Sequence, residues 1–191
     1  MQELISKILK SASDNITNIS NDNKIISKIE QVVLLCVKAY ENNQRILFCG
    51  NGGSASDAQH IAAELSGRFL RDRKPLFAEA LHVNSSYLTA VSNDYGFEYS
   101  YSRILESAGR EGDILVALST SGNSKNVLKA IEKANSIRMI SVGLSGLNGG
   151  EMQSLCNVMI NIASKDTARI QEAHILVGHI ICQLIEEKLF A

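Results

Sequence analysis

Tryptophan is absent, proline occurs once, at Pro75, and no apolar run approaches the ~18 uninterrupted residues that a membrane-spanning helix requires. Charge of either sign is scarce in excess: 19 Lys and Arg stand against 20 Asp and Glu, a formal net charge of −1. A nucleic-acid groove or a basic membrane face needs cations concentrated on one surface, so neither nucleic acid nor membrane is expected as a partner. The four cysteines, Cys36, Cys49, Cys156 and Cys182, lack CxxC spacing and sit in apolar segments. They read as reduced core thiols, not as a zinc finger or redox pair. The first 15 residues alternate polar and apolar types, and a cytoplasmic location is expected. At 191 residues a single core buries about 70% of the unfolded chain's surface, so folding needs neither disulfides nor a structural metal.

What is present falls into two patterns. Leu4, Ile5, Ile8 and Leu9, and then Ile25, Ile29, Val32, Val33, Cys36 and Val37, recur at helical spacing, which predicts two N-terminal amphipathic helices within 1–43. From Arg45 onward come short apolar runs closed by Gly, Ser or Asn: Ile46–Cys49, Ala78–Leu81, Ile114–Leu118, Met139–Val142 and Val158–Ile162. These are five candidate strands. Helical stretches separate them, notably 54–66 and 123–134, and a long one closes the chain over 167–189. Alternating strands and helices predict a parallel sheet covered on both faces, because each parallel crossover needs a helix-length connection. The class is α/β, three layers, one domain over 1–191 with its core in 45–191. Pro75 and the charged stretch Arg68 to Lys74 read as a surface excursion.

Ligands of parallel α/β sheets bind at the carboxyl ends of the strands. Two loops there stand out. Gly50-Asn51-Gly52-Gly53-Ser54-Ala55-Ser56 follows a strand and opens a helix, so its glycines admit a ligand to backbone N–H groups at the positive end of the helix dipole. Ser119-Thr120-Ser121-Gly122-Asn123-Ser124 offers four hydroxyls and free amides in the same position, enough to hold a phosphate without lysine; in isolation it also reads as an ordinary helix cap. Gly50-x-Gly52-x-x-Ala55 passes a loose dinucleotide pattern, but the second strand ends at Leu81-His82-Val83-Asn84 without the acidic residue that holds a ribose. The serine loop lacks the Gly-Lys-Ser/Thr of a nucleotide-hydrolysing P-loop.

On the helix after the glycine loop, His60 and Glu64 are spaced i, i+4 and share a face. On the last helix Gln171 and His179 are about 80° apart on the wheel and border one stripe, with Gly178 beside it. His174, about 140° from His179, reads as a core histidine.

These segments together resemble the sugar isomerase (SIS) domain family, and within it the phosphoheptose isomerases. The resemblance is carried by Gly50 to Leu65, Asn93-Asp94, Ser119 to Ser124 and Arg169-Ile170-Gln171-Glu172-Ala173-His174, and it spans nearly the whole chain. It implies a flavodoxin-like, three-layer α/β/α fold with a five-stranded parallel sheet, and a homotetramer with sites at subunit interfaces. The implied reaction converts sedoheptulose 7-phosphate to D-glycero-D-manno-heptose 7-phosphate, the first step of bacterial ADP- or GDP-heptose synthesis for lipopolysaccharide or capsule. The resemblance further implies one zinc ion per chain on His60, Glu64, Gln171 and His179, with Glu64 and His179 catalytic. Substrate contacts fall to Asn51, Gly52, Gly53, Ser54, Glu64, Asn93, Asp94, Ser119, Thr120, Ser121, Ser124 and Gln171. Arg68, Arg169 and Asp166 rank lower, since charged residues beside loops are usually solvated.

An aldose–ketose isomerisation moves a proton off the carbon beside a carbonyl, stabilises an enediolate, and shuttles protons between two oxygens. Glu64 suits the carbon proton and His179 the oxygens. Two imidazoles, a carboxylate and an amide oxygen make a zinc shell that polarises the carbonyl. The family also contains a non-enzymatic protein that binds the replication initiator and lacks this Glu and second His. Both are present here, which favours the enzyme. Isomerisation of a different phosphosugar remains the alternative within the enzyme class.

Overall fold

A computed structural model describes residues 1–190. The chain begins with α1 (Gln2–Asn21) and α2 (Asn23–Glu41), separated by Asp22, whose carboxylate caps α2 by accepting the N–H groups of Lys24 and Ile25. There follow β1 (Ile46–Cys49), α3 (Gly53–Ser66), β2 (Ala78–Ala80), α4 (Ser85–Asp94), a 3₁₀ turn over Phe97–Tyr99, α5 (Ser100–Ala108) and β3 (Ile114–Ser119). The chain continues through α6 (Lys125–Ser136), β4 (Ile140–Ser145), α7 (Met152–Leu155), β5 (Val158–Asn161) and α8 (Thr167–Leu189).

The five strands pair in parallel in the order β2-β1-β3-β4-β5, the expected sheet. Side chains alternate across a strand. Ile46 and Phe48 join one core cluster with Ile114, Val116, Val142 and the buried faces of α2, α3 and α8. Leu47 and Cys49 join the other with Leu115, Ala117 and the buried faces of α5 and α6. These two cores are the outer interfaces of a three-layer molecule. The cysteines are free thiols; Cys36, Cys49 and Cys182 are buried and Cys156 is half-buried.

Strand ends differ from the sequence expectation by one to three residues, and one loop differs in character. β4 runs to Ser145, past the apolar run ending at Val142, because Gly143 and Ser145 pair with Ala117 and Ser119 of β3 without needing apolar side chains there. The stretch Arg68 to Lys74 is not wholly a surface excursion: the side chain of Arg73 is 2% exposed and paired with Glu186 at 2.8 Å. No helix among the described residues is long and apolar enough to cross a membrane.

Candidate active site and metal centre

Strand order reverses between β1 and β3, since the chain leaves β1 for one edge through β2 and returns to the other side at β3. Such a switch point opens a crevice at the carboxyl ends of the two strands. The glycine loop after β1 and the serine loop after β3 lie on its two sides.

Gly52 caps α3, which begins at Gly53, and Ser54 is buried in its first turn. The Asn51 amide is held in a reciprocal pair with Asn126 of α6: Asn51 Nδ2 donates at 2.8 Å and Asn126 Nδ2 donates back at 2.9 Å. The Tyr101 hydroxyl donates to the Gly50 carbonyl at 2.5 Å. The loop is thus braced from below, and one Nδ2 hydrogen of Asn51 is left for a ligand. The Gln171 amide is seated against the loop at Gly53, where a Cβ would lie 2.3 Å from its Nε2, so a side chain at 53 would push the Gln171 amide aside.

In the serine loop, Ser119 Oγ lies 3.1 Å from Ser124 Oγ and 3.4 Å from Ser121 Oγ. Ser124 is the residue before α6, yet its hydroxyl makes no capping bond. Its hydroxyl faces Ser119 instead, which weighs against the plain helix-cap reading. Thr120, Ser121 and Asn123 line a cavity of about 430 Å³ whose far wall includes Ser164 and Lys165. Lys165 is its single charged lining residue, a cation that the sequence argument had not placed beside this loop.

The sharpest convergence lies between α3 and α8. His60 Nε2 is 3.1 Å from His179 Nε2 and 3.2 Å from Glu64 Oε1, and one donor atom from each residue falls within 4.8 Å of the other two. Two imidazole nitrogens and a carboxylate oxygen at one point suit a divalent transition metal such as zinc. The helices approach this closely because Gly178 has no side chain: a Cβ there would meet Ile61 Cδ1 at 2.4 Å. Phe69 stacks on the His179 ring, with centroids 5.5 Å apart and planes at 22°. Gln171, eight residues before His179, is held at Gly53, about 12 Å farther back along α8 at 1.5 Å per residue. Three of the four residues implied as metal ligands therefore meet, and the fourth stands over the glycine loop.

The other expected residues separate as follows. Asn93 and Asp94 end α4, exposed, with Asn93 Nδ2 donating to Asp94 Oδ1 at 2.8 Å. His174 is wholly buried, and burial lowers its pKa to about 4 against an opposing backbone contact at Ser145, so it is a neutral core group. Arg169 is not solvated: it is buried, donates to the Ile8 carbonyl, pairs with Glu172, and receives Asn15 on its own carbonyl, tying α1 to α8. Asp166 caps α8 by accepting from Ala168 N–H at 2.9 Å. Arg68 is exposed.

Sequence reasoning passed over Asn126, Tyr101 and Asp57. Asp57 sits one turn before His60, and burial raises its pKa although His60 opposes this; one of its oxygens is buried without a protein partner. Its i, i+3 spacing from His60 was a usable signal. Nothing in the sequence pointed Tyr101 at Gly50, 51 residues away.

The switch-point crevice with its hydroxyl-rich loop, and the His–Glu–His group between α3 and α8, sit on a three-layer α/β fold whose class the chain's similarities give. The SIS domain family model matches residues 3–146, and the chain belongs to this family. Phosphoheptose isomerases are among the relatives it matches over its full length. It is 46% identical over 190 residues to the phosphoheptose isomerase of Aneurinibacillus thermoaerophilus, covering 100% of this chain and 96% of the relative. It is 47% identical over 193 residues to phosphoheptose isomerase 2 of Campylobacter jejuni, covering 100% and 96%. Among solved structures, phosphoheptose isomerase GmhA from Neisseria gonorrhoeae superposes with a TM-score of 0.92 at 38% identity, over 97% of this chain and 98% of that one.

Proposed function

We propose that this protein is an aldose–ketose isomerase interconverting sedoheptulose 7-phosphate and D-glycero-D-manno-heptose 7-phosphate. The observation that carries the reading is the meeting of Glu64 with the imidazoles of His60 and His179, on a chain that also carries a glycine loop and a hydroxyl-rich loop at the switch point. The high identity to phosphoheptose isomerases over full length supports the substrate.

The phosphate rests on Ser119, Thr120, Ser121 and Ser124 and on the free amides at the start of α6. Asn51, Gly52, Gly53, Ser54 and Gln171 take the sugar hydroxyls from the glycine-loop side, with Asn93 and Asp94 at the rim. Glu64 removes a proton from C1 of the ketose, forming an enediolate, and returns it to C2. Its Oε1 faces His60, which leaves Oε2 for the carbon proton. His179 gives a proton to the oxygen on C2 and accepts one from the oxygen on C1, so protons balance over the cycle.

His60, Glu64 and His179 are the residues that would hold zinc, one ion per chain; with Nε2 of His179 on the ion, its proton transfers would fall to Nδ1. The family resemblance adds Gln171 as a fourth ligand; its place at Gly53 supports a substrate contact more directly. When bound, zinc acts as a Lewis acid on the substrate carbonyl.

The family resemblance implies a homotetramer with sites at subunit interfaces, and α1 supports association between copies, since it leaves Leu4, Ile5, Ile8 and Leu9 48–65% exposed along one stripe. A cytoplasmic enzyme feeding nucleotide-activated heptose synthesis for lipopolysaccharide or capsule fits this reading. The test is incubation with sedoheptulose 7-phosphate, following aldose phosphate formation by NMR and comparing pentulose and hexulose phosphates. Preferred turnover of the heptulose is expected; no turnover of it, or preference for a shorter ketose, overturns the assignment.

A further inference from the structure

The segment from Gly67 to Lys74 connects α3 toward β2 and has no regular secondary structure, yet it encloses an ion pair removed from water. The side chains of Arg73 and Glu186 are 2% and 1% exposed, with Arg73 Nε 2.8 Å from Glu186 Oε1. The Glu186 carboxylate also accepts three successive backbone N–H groups, from Phe69, Leu70 and Arg71, at 2.9, 2.9 and 3.0 Å. Arg73 donates onward to the carbonyls of Glu64, Leu65, Gly67 and Lys74 at 2.8 to 3.2 Å. Burying two charges is costly unless geometry and further hydrogen bonds offset it. Here they do, and the result pins one irregular loop between the end of α3 and the face of α8.

That loop ends at the site. Glu186 lies seven residues beyond His179, two helical turns, so both project from the same face of α8. Phe69, whose own N–H is bound by Glu186, is thereby laid on the His179 ring at 5.5 Å and 22°. Histidines that bind metal or move protons usually have their second ring nitrogen anchored by a carboxylate or carbonyl, which fixes ring plane and tautomer. Among the described residues the His179 ring has its one hydrogen-bond contact at Nε2, to His60. Its Nδ1 is not anchored, so packing must hold the plane.

We propose that Phe69 is a positioning residue for His179, that the buried Arg73–Glu186 pair holds it in place, and that Arg73 also fixes the last turn of α3 through the Glu64 carbonyl. The stack orients the imidazole so that Nε2 faces His60 and Glu64. The rate consequence rests on the isomerase reading; the orientation of the ring does not.

Two readouts on Phe69→Leu and Phe69→Tyr in the full chain test it. Leucine keeps apolar volume but loses the flat face, and tyrosine keeps the face. Phe69 is only half-buried, so the fold should survive; Phe69→Met is a second variant with the same expectation as leucine. In kinetics, Phe69→Leu should lower kcat about tenfold with KM changed less than about twofold, and Phe69→Tyr should restore it, since small misplacements of a catalytic group are costly. In ¹⁵N NMR of metal-free protein, the wild type and Phe69→Tyr should show distinct Nδ1 and Nε2 shifts for His179, one tautomer held, and Phe69→Leu should show them averaged. Wild-type kcat and a held tautomer in Phe69→Leu overturn the proposal. If the wild type does not isomerise the heptulose phosphate, the isomerase reading fails, and the NMR comparison alone decides the positioning role.

Discussion

His60 Nε2 and His179 Nε2 lie 3.1 Å apart although 119 residues separate them in the chain. Their backbones approach because Gly178, beside His179, receives Ile61, beside His60. A methyl group at 178 would sit 2.4 Å from Ile61 Cδ1 and 2.7 Å from Cγ1, in a place where Ile61 is 2% exposed and has little room to move. Gly178→Ala should therefore destabilise the fold by about 1–3 kcal/mol through overpacking and reduce turnover by spreading the two imidazoles. Adding Ile61→Ala removes the contacting atoms and should recover part of the lost activity. Unfolding midpoints and kcat for the two variants check this; an unchanged single variant refutes it.

The serine loop should govern binding more than chemistry. Loss of one hydroxyl donor to a charged group costs about 1.5–3 kcal/mol, roughly ten- to a hundredfold. Ser121→Ala and Ser124→Ala should raise KM for the phosphosugar by that range with kcat little changed. Unchanged steady-state kinetics in both would remove the phosphate from this loop.

The Arg73–Glu186 pair sets an acid limit. Burial by itself raises the Glu186 pKa, but the N–H groups of Phe69, Arg71 and Leu70 and the Arg73 side chain outweigh it and hold the value below the ordinary 4.5. A carboxylate with a depressed folded pKa contributes stability above its unfolded pKa and loses it as pH falls through the folded one. Urea resistance should thus fall as pH drops below about 4.5. Glu186→Gln should lack this component and be about 3–5 kcal/mol less stable at neutral pH, because it leaves Arg73 buried without its counter-charge. Matching pH profiles for the two proteins would contradict this.

Much of this architecture was legible from residue pattern. β1 and β3 read directly because their apolar runs are closed by Gly50 and Ser119, and the loops that follow them are the ones at the switch point. α4 did not read as a helix in its own right, because Val91 is its one buried residue and no apolar stripe betrays it. The His60–Glu64 pair was visible from i, i+4 spacing, whereas the arrival of His179 depends on a helix contact at Gly178 that no local pattern encodes. Arg73 misled for a related reason: in a run with Arg68, Arg71, Asp72 and Lys74 it looks solvated, and its partner is 113 residues away. Arg169 misled likewise, since besides Glu172 on its own helix its partners Ile8 and Asn15 lie on α1.

Metal removal separates the ion from the fold. The two cores are built of apolar side chains on both faces of the sheet, so chelation should abolish isomerisation while leaving the circular dichroism spectrum and unfolding midpoint little changed, and zinc should restore activity. Activity that survives complete chelation would remove zinc from the account and leave Glu64 and His179 as an acid–base pair.

The most direct test is turnover of sedoheptulose 7-phosphate by Glu64→Gln, a substitution that keeps side-chain shape and takes away the base. The account predicts a fall in kcat of about 10²–10⁴-fold with the substrate still bound at near wild-type concentration. Normal turnover by Glu64→Gln would contradict the mechanism, whatever metal the protein carried.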